Sequence, residues 1–265
     1  MLGLVGCGTM GSALVRGLIL QKIKKPQDIL IYDKEIGKRI ALKEQWGITI
    51  SPDPISLCME AKTIFIAVKP QDMEGLLLDL KPALTREHLL VSLAAGLKIK
   101  YYEELLGGDI KIIRVMPNTP CLVGEGMIVI SRGERVSKEE EVKVKELMEA
   151  LGTVLLLEEK YMDAVTGLSG SGPAYALLFL EALADGGVEM GLSRDVAFLL
   201  AAQTLLGAAR MALESNEHPA ELKNKVTSPG GTTSAGLLAM EEGGVRASII
   251  KAVIEATKRG KNLGR

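Results

Sequence analysis

The sequence is poor in cysteine and histidine. Three of its 265 residues are cysteines and two are histidines. Cys7, Cys58 and Cys121 are odd in number and far apart, so they form neither a disulfide framework nor the paired spacing of a metal site. We therefore expect no bound metal and a reducing compartment.

An excess of charge of one sign is also absent. The 32 Lys and Arg residues nearly balance the 33 Asp and Glu residues, giving a formal net charge of -1, which offers no broad field for nucleic acid or an anionic membrane. The start of the chain has no targeting pattern, and the most apolar run, 198–213, is interrupted by Gln203, Thr204 and Arg210. The sequence thus predicts a cytoplasmic protein that binds neither nucleic acid nor membrane.

Short apolar runs alternate with helical patterns over residues 1–160. Runs of this kind, buried on both faces, are typical of parallel strands, and the alternation predicts right-handed βαβ units. This is the pattern of an α/β fold, and we expect residues 1–160 to form a Rossmann-type, doubly wound dinucleotide-binding domain. A Ser-Lys-Glu-Glu start at Ser137 also predicts a helix with a capping box. The predicted strands are Leu2–Val5, Ile29–Tyr32, Ile48–Ile50, Thr63–Val68, Leu89–Leu93, Ile110–Val115, Met127–Ser131 and Thr153–Leu157.

Residues 161–265 contain only helical patterns and are predicted to form an all-α domain for substrate binding and dimerisation. The predicted helices are Pro173–Met190, Ser193–Ser215, Pro219–Val226, Ser234–Glu242 and Val245–Leu263. The second of them is apolar almost all round, so it must be surrounded. It is either a central core helix or part of a subunit interface with interleaved helices. The interface is favoured because so short a helical part can hardly enclose it.

A glycine-rich turn follows the first predicted strand. Gly6-Cys7-Gly8-Thr9-Met10-Gly11 matches the G-x-G-x-x-G fingerprint of dinucleotide-binding folds and opens a helix, which is the context that supports it. Gly6 suits the tight turn, Gly8 lets a pyrophosphate approach the backbone, and Gly11 permits close packing of helix on strand. The helix N-terminus then offers free amides to the phosphates.

The end of the second strand gives conflicting indications about the cofactor. Asp33 can accept hydrogen bonds from the adenosine 2′-hydroxyl of NADH, whereas Lys34, Lys38 and Arg39 can attract the 2′-phosphate of NADPH. We therefore expect NADPH or NADH without a stated preference. The predicted cofactor-binding residues lie at the carboxyl ends of strands and in the glycine-rich turn: Val5, Gly6, Cys7, Gly8, Thr9, Met10, Gly11, Asp33, Lys34, Ala67, Val68, Lys69, Pro70, Leu93, Ala94 and Ala95.

Two stretches rich in Gly, Ser, Thr and Pro punctuate the helical part. Residues 169–173 and 227–234 are each predicted to open a helix and to offer backbone amides and hydroxyls to a carboxylate. Hydroxyl-rich helix starts also serve as plain caps, but eight such residues exceed what one cap needs.

With these motifs, the sequence resembles the pyrroline-5-carboxylate reductase family over essentially its whole length. The shared motifs are the Gly6 turn, Val68-Lys69-Pro70, Met116–Pro120, Asp163–Tyr175, His218-Pro219, Leu222-Lys223 and Ser228–Thr233. The resemblance implies hydride transfer from NAD(P)H to the C=N bond of 1-pyrroline-5-carboxylate, giving L-proline. It also implies a homodimer with interleaved helical domains, often assembled into a larger ring.

The resemblance assigns the substrate site as well. It places the substrate carboxylate against the amides of Gly230 to Thr233 and the Thr233 hydroxyl, the predicted catalytic group, on the ring nitrogen. His88 and His218 are interpreted as structural. The substrate-binding residues implied are Ser228, Pro229, Gly230, Gly231, Thr232, Thr233, Glu159 and Asn118.

Other functions compete with this interpretation. A β-hydroxyacid dehydrogenase would carry a G-x-x-x-K-x-x-x-N pattern, which is absent between Lys160 and Leu263. A reductase of another cyclic imine, such as the six-membered homologue, stays open because ring size depends on pocket volume. A non-catalytic dinucleotide-binding regulator is a further alternative, although it would have no need for the loop from Ser228 to Thr233.

Overall fold

The structure is a computed structural model that describes residues 1–262, and it divides into two compact units. One comprises Met1–Ser171 with the segment that begins at Glu255, and the other comprises Gly172–Ile254. Leu263, the predicted end of the last helix, lies outside the described residues, as do the two residues after it. The functions expected for residues 1–160 and 161–265 stay predictions, because a division into compact units does not assign them.

The first unit is built on one eight-stranded sheet with the order β3-β2-β1-β4-β5-β6-β7-β8. Every apolar run predicted to be a strand contributes one, so the α/β prediction is confirmed. The strands are β1 Leu2–Val5, β2 Ile29–Tyr32, β3 Thr49–Ile50, β4 Thr63–Ile66, β5 Leu89–Ser92, β6 Lys111–Met116, β7 Gly126–Arg132 and β8 Gly152–Leu156.

The sheet is parallel except where β7 runs antiparallel to β6. The chain between these two strands contains only the short 3-10 turn Thr119–Val123. A parallel return needs a crossover of a dozen or more residues, usually a helix, so the short connection brings β7 back in the opposite direction.

Helices cover both faces of the sheet, as a doubly wound fold requires. Consecutive residues of β1 point to opposite faces of the sheet and so belong to different apolar clusters. Leu4 packs in the cluster with Leu14, and Val5 packs in the cluster with Leu57 and Leu77. The helices are α1 Thr9–Leu20, α2 Ile36–Trp46, α3 Pro54–Glu60, α4 Pro70–Leu80, α5 Ile99–Leu106, α6 Lys138–Met148 and α7 Met162–Val165. The capping box predicted at Ser137 is confirmed: its hydroxyl accepts from Glu140 N, and the Glu140 carboxylate accepts from Ser137 N.

Residues 169–173 lead into a helix as expected, since one begins at Gly172, but the anion receptor expected at this helix start is not formed. A π-helical turn, Thr166–Gly170, follows α7 and precedes helix α8, Gly172–Glu189. The Ser169 hydroxyl donates to Val165 O at 3.1 Å, and the Ser171 hydroxyl donates to Thr166 O at 3.1 Å. These hydroxyls bond to carbonyls of the preceding helical turns, so they do not form a receptor at a helix start.

The second unit is helical. After α8 its helices are α9 Arg194–Glu214, α10 Pro219–Lys225, α11 Thr232–Glu242 and the start of α12 Val245–Lys261. Small residues allow α8 and α9 to pack closely, because Ala184, Ala197 and Ala201 are buried together. A Cβ added at Gly187 of α8 would lie 3.2 Å from the Ala197 Cβ.

Most of α9 is open in a single chain. Leu199 is 67% exposed and Leu213 is 81% exposed, whereas Ala197 and Ala201 are the buried residues of this helix. The alternative of a central core helix is therefore wrong for one chain. Within residues 1–262, α9 is also the one helix that is long and apolar enough to cross a membrane by length and composition.

Candidate active site

The glycine-rich turn is shaped by contacts that only glycine allows. Gly6 has a φ of +102°, and a Cβ there would lie 2.7 Å from the carbonyl carbon and oxygen of Ala67. A Cβ at Gly11 would lie 1.9 Å from Gly6 O. Gly6 and Gly11 thus bring β1, the start of α1 and the end of β4 into contact.

Gly8 differs from its two neighbouring glycines, because a Cβ there would meet no atom within 4 Å. It precedes α1 as the N-cap residue and gives no side-chain cap, and Ser12 N donates to Gly8 O at 2.9 Å. The helix amides before Ser12 have no partner within their own helix. Free amides facing open space fit the pyrophosphate of a dinucleotide.

A cavity of about 540 Å³ opens beside this turn. It lies at the carboxyl ends of β1, β2 and β4, which is where doubly wound sheets bind ligands. Its lining residues are Val5, Gly6, Gly8, Tyr32, Asp33, Lys34, Glu35, Lys38, Pro54, Ala67, Val68, Lys69, Gln71, Asp72, Leu76 and Asp79.

Eight of the predicted cofactor-binding residues line this cavity, namely Val5, Gly6, Gly8, Asp33, Lys34, Ala67, Val68 and Lys69. The remaining eight are not in its wall, and their role stays a prediction: Cys7, Thr9, Met10, Gly11, Pro70, Leu93, Ala94 and Ala95. Of these, Met10 packs against the core, Pro70 is the first residue of α4, and Ala94 is buried after β5.

The contribution of helix α4 to the cavity wall was not predicted from the sequence. Gln71, Asp72, Leu76 and Asp79 all lie on this helix and line the cavity. The available signal was Pro70, a residue favoured at the first position of a helix, directly after a strand end. A helix that starts there presents its first turns to the ligand edge of the sheet.

Asp33 holds the glycine-rich turn in place. Its carboxylate oxygens accept from Cys7 N at 2.7 Å and from Glu35 N at 2.8 Å, and the residue is only 9% exposed. Burial, with a further contribution from the Asp33 charge, raises the pKa of the Cys7 thiol to about 12. Cys7 is therefore protonated at neutral pH and is not a nucleophile.

The lysines predicted to attract a 2′-phosphate are each paired with a carboxylate. Lys34 Nζ lies 2.7 Å from Asp72 Oδ1, and Lys38 Nζ lies 2.6 Å from Glu35 Oε1. The hydrogen bond that Lys34 donates to the Asp72 carboxylate raises the pKa of Lys34 above its usual value. The cavity wall thus carries charges of both signs, as the conflict between Asp33 and Lys34 in the sequence indicated.

Glu159 lies in a cluster of charged groups rather than alone at a ligand. Its Oε1 accepts from Ile99 N at 2.7 Å and lies 3.2 Å from Arg114 Nη1, while Arg114 Nη2 lies 3.6 Å from Asp163 Oδ1. The Arg114 side chain is 3% exposed. The cluster joins β6, the start of α5 and α7, and a substrate contact for Glu159 stays a prediction.

Asn118 holds the loop that leaves β6. Its Nδ2 donates to Ser169 O at 3.1 Å, and its Oδ1 accepts from Met127 N at 2.9 Å. Both polar atoms of the amide are therefore engaged in the protein, and a substrate contact for Asn118 also stays a prediction.

The loop before α11 in the second unit forms a compact turn. Gly230 has a φ of +66°, Gly231 N donates to Ser228 O at 3.0 Å, and a Cβ at Gly231 would lie 2.2 Å from Ser228 Oγ. α11 begins at Thr232, two residues earlier than predicted, and Gly231 before it gives no side-chain cap. Ser228, Pro229, Gly230 and Thr232 are exposed, whereas Gly231 and Thr233 are half-buried. The first amides of α11 are thus free to receive an anion of carboxylate size.

Both histidines form hydrogen bonds with the backbone. His88 Nε2 lies 2.9 Å from Cys58 O and its Nδ1 lies 2.9 Å from Thr85 N, while His218 caps α10 by accepting from Ala220 N. Across residues 1–262, no cluster of three or more His, Cys, Asp and Glu residues is arranged to hold a metal ion.

A doubly wound sheet with a glycine-rich turn beside a ligand cavity defines the class of dinucleotide-binding proteins, and comparison with known proteins identifies the kind. A family model described as "NADP oxidoreductase coenzyme F420-dependent" matches residues 1–96, and one described as "Pyrroline-5-carboxylate reductase dimerisation" matches residues 159–263. The chain belongs to the pyrroline-5-carboxylate reductase family, and the resemblance found in the sequence is confirmed.

Full-length relatives support this membership. The pyrroline-5-carboxylate reductase of Glycine max is 43% identical over 99% of this chain and 95% of its own length. That of Methanosarcina acetivorans is 43% identical over 100% of this chain and 98% of its own length. Among solved structures, Plasmodium falciparum pyrroline carboxylate reductase with NADP bound has a TM-score of 0.91 at 35% identity, covering 100% of this chain and 98% of that one. The Coxiella burnetii enzyme has a TM-score of 0.92 at 36% identity with the same coverage.

Proposed function

We infer that this chain reduces the C=N bond of 1-pyrroline-5-carboxylate with NADPH or NADH, giving L-proline. The observation that carries the inference is that two helices of one chain of this family start directly after glycine-rich turns, α1 after Gly8 and α11 after Gly231, with no side-chain cap. The start of α1 faces a dinucleotide-sized cavity, and the start of α11 offers amides to a carboxylate. The reduction of a C=N bond beside a carboxylate needs both helix starts, one for the dinucleotide and one for the substrate carboxylate.

The chain's own residues bind and orient the reactants. The amides at the start of α1 hold the pyrophosphate, and those of Gly230, Thr232 and Thr233 hold the substrate carboxylate, since the Gly231 amide already donates to Ser228 O. When bound, the nicotinamide supplies the hydride that adds to the imine carbon, while the ring nitrogen carries the proton. The Thr233 hydroxyl oxygen accepts a hydrogen bond from that protonated nitrogen. Because the imine carbon is already electrophilic, orientation and proximity account for most of what the protein must provide.

Thr233 is tested by two variants. Thr233→Ala removes a hydrogen bond to a charged nitrogen, worth about 1.5–3 kcal/mol, so kcat/KM for the imine should fall about ten- to hundredfold. Thr233→Ser keeps a hydroxyl and should retain most of the activity. Dinucleotide affinity should be unchanged in both. Equal kinetics for the alanine variant and the unaltered protein would remove Thr233 from the mechanism.

The substrate itself is tested by steady-state oxidation of NADH and NADPH. Pyrroline-5-carboxylate and its six-membered homologue are compared, because one methylene changes selectivity by about 1–3 kcal/mol. We expect the five-membered ring to be preferred about tenfold or more. A preference for the six-membered ring would support the alternative imine reductase, and no turnover with either substrate would refute the assignment.

The assembly follows from α9. The family model for dimerisation spans this helix, and the apolar side chains that α9 exposes in one chain supply an interface for a second copy. The chain is accordingly a homodimer, and we extend the proposal to a larger ring of dimers. Leu199→Glu should yield monomers in light scattering, whereas Met59→Glu, at a residue 77% exposed on α3, should leave the dimer intact.

The compartment and partners form part of the same proposal. Cys7, Cys58 and Cys121 are all free and buried, which suits a reducing compartment, and we place the enzyme in the cytoplasm. The near-neutral charge argues against nucleic acid and anionic membrane as partners, and a dimer interface gives α9 a protein environment in place of a lipid one. Fractionation of cells with an antibody to the chain would test this location.

A further inference from the structure

One ion pair spans the adenosine end of the dinucleotide cavity. Lys34 follows β2, and Asp72 lies in the first turn of α4, so the two residues reach each other from different elements. The distance from Lys34 Nζ to Asp72 Oδ1 is 2.7 Å, and both residues line the cavity. The pair is open to solvent, with side chains 69% and 40% exposed.

This pair occupies the place where the two cofactors differ. NADPH carries a phosphate on the 2′-oxygen of the adenosine ribose where NADH carries a hydroxyl, and this ribose lies at the end of the second strand in doubly wound folds. Lys34 follows Asp33 at that strand end and lines the cavity, whereas the Arg39 guanidinium lies over the Tyr32 ring, 4.9 Å from its centroid, and is not part of the cavity wall. A 2′-phosphate that binds Lys34 must displace Asp72 or share the ammonium with it.

The other charges that line the cavity do not replace Lys34. Lys38 is paired with Glu35 at 2.6 Å, and the oxygens of Asp33 accept two backbone amides. Lys69 and Asp79 complete the charged lining. The carboxylates Asp33, Glu35, Asp72 and Asp79 thus outnumber the lysines around the cavity, and a doubly charged phosphate gains least while Asp72 holds Lys34.

We propose that Asp72 is a specificity-determining residue of this enzyme, which disfavours NADPH relative to NADH by competing with the 2′-phosphate for Lys34. The inference rests on the proposed function, since it concerns the dinucleotide that the reaction uses. Binding of NADH leaves the pair closed, whereas binding of NADPH exchanges one partner of the ammonium for another.

The test uses two adenosine fragments that differ only in the 2′-phosphate, adenosine 2′,5′-bisphosphate and 5′-AMP. Their dissociation constants are measured by calorimetry on the full chain in the absence of imine. Asp72→Asn should tighten the bisphosphate by about two- to fivefold, the value of an exposed ion pair, and leave 5′-AMP unchanged. Lys34→Met should weaken the bisphosphate and leave 5′-AMP unchanged.

The double variant separates competition from simple repulsion. When Lys34 is methionine, Asp72→Asn should no longer change the ratio of the two dissociation constants. Glu87→Gln is the matched control, because it breaks another solvent-exposed pair, Lys62 with Glu87 at 3.1 Å, away from the cavity. It should leave both fragments unaffected.

Three results would overturn the proposal: an unchanged ratio in Asp72→Asn, a shift that persists without Lys34, or no binding of either fragment. The first two concern only Asp72, while the third would also remove the dinucleotide site from the proposed function. Coupling between Lys34 and Asp72 in a protein that fails to reduce the imine would refute the proposed reaction and leave this inference standing.

Discussion

Gly8→Ala should separate dinucleotide binding from folding. The added methyl would meet no protein atom within 4 Å, and the Gly8 backbone, at φ −74° and ψ −165°, is open to alanine. The methyl would instead occupy the space above the start of α1, where we place the pyrophosphate. The folded chain should therefore tolerate a substitution that the cofactor does not.

The magnitudes of the two effects differ. Alanine restricts the unfolded chain, which stabilises by about 0.4–1 kcal/mol, and it is a slightly poorer N-cap than glycine, which offsets about 0.5 kcal/mol. The net change in Tm should stay within about 3 °C. In binding, losing one amide contact to a phosphate costs about 1.5–3 kcal/mol, so the Kd for NADH and NADPH should rise about ten- to hundredfold.

The assay is calorimetric titration of both dinucleotides beside thermal unfolding without ligand. Gly37→Ala is the matched control, because its Cβ also meets nothing within 4 Å and Gly37 does not line the cavity. It should leave both Kd values unchanged, and because alanine is a better helix former than glycine inside α2, Tm should stay equal or rise by up to about 3 °C. Gly11→Ala gives the opposite contrast, since its Cβ would lie 1.9 Å from Gly6 O and the turn must shift. Unaltered affinity in Gly8→Ala would refute the placement of the pyrophosphate.

Further predictions concern stability and reactivity. Ser137→Ala removes the capping box and should cost about 1 kcal/mol, seen as a Tm lower by about 2–4 °C. Arg114→Leu leaves Glu159 without its cation and should lower the free energy of unfolding in urea by about 3 kcal/mol; a loss below 1 kcal/mol would contradict the role of the cluster. Burial raises the pKa of Cys7 from 9.0 to about 12 and that of Cys58 to about 11, so neither should react with a thiolate-selective reagent at pH 8 before unfolding. Because these folded-state pKa values are raised, stability should fall as the pH rises above about 9, which urea titrations at pH 8 and pH 10 would measure.

The strands and most helices could be predicted because their signals are local. Leu2–Val5 and Ile29–Tyr32 are bounded as the apolar runs indicated. The antiparallel direction of β7 follows from the short connection between β6 and β7; the spacing of the two apolar runs contained this signal, but strand direction was not inferred from it. The π-helical turn at Thr166–Gly170 was missed because glycine and serine there have the composition of a helix start.

The candidate site divides in the same way. The glycine-rich turn and the loop before α11 are each contiguous in sequence, so their backbone chemistry could be predicted. The pairing of Lys34 with Asp72 joins residues 38 positions apart, and nothing local to Lys34 indicates it. The same holds for Asn118, whose partner Ser169 is 51 positions away. Lys34 and Asn118, which were predicted from the sequence to bind ligands, thus form hydrogen bonds with residues that are distant in the chain.

The open surface of α9 makes the stability of this fold depend on how many copies are present. In the interface proposed above, burying Leu199 and Leu213 against a second chain adds free energy that no single chain has, so part of the free energy of unfolding scales with the logarithm of concentration. Each tenfold dilution removes about 1.4 kcal/mol per dimer. The concentration of the chain in the cell therefore determines the fraction of the reductase that stays folded as well as the total amount present.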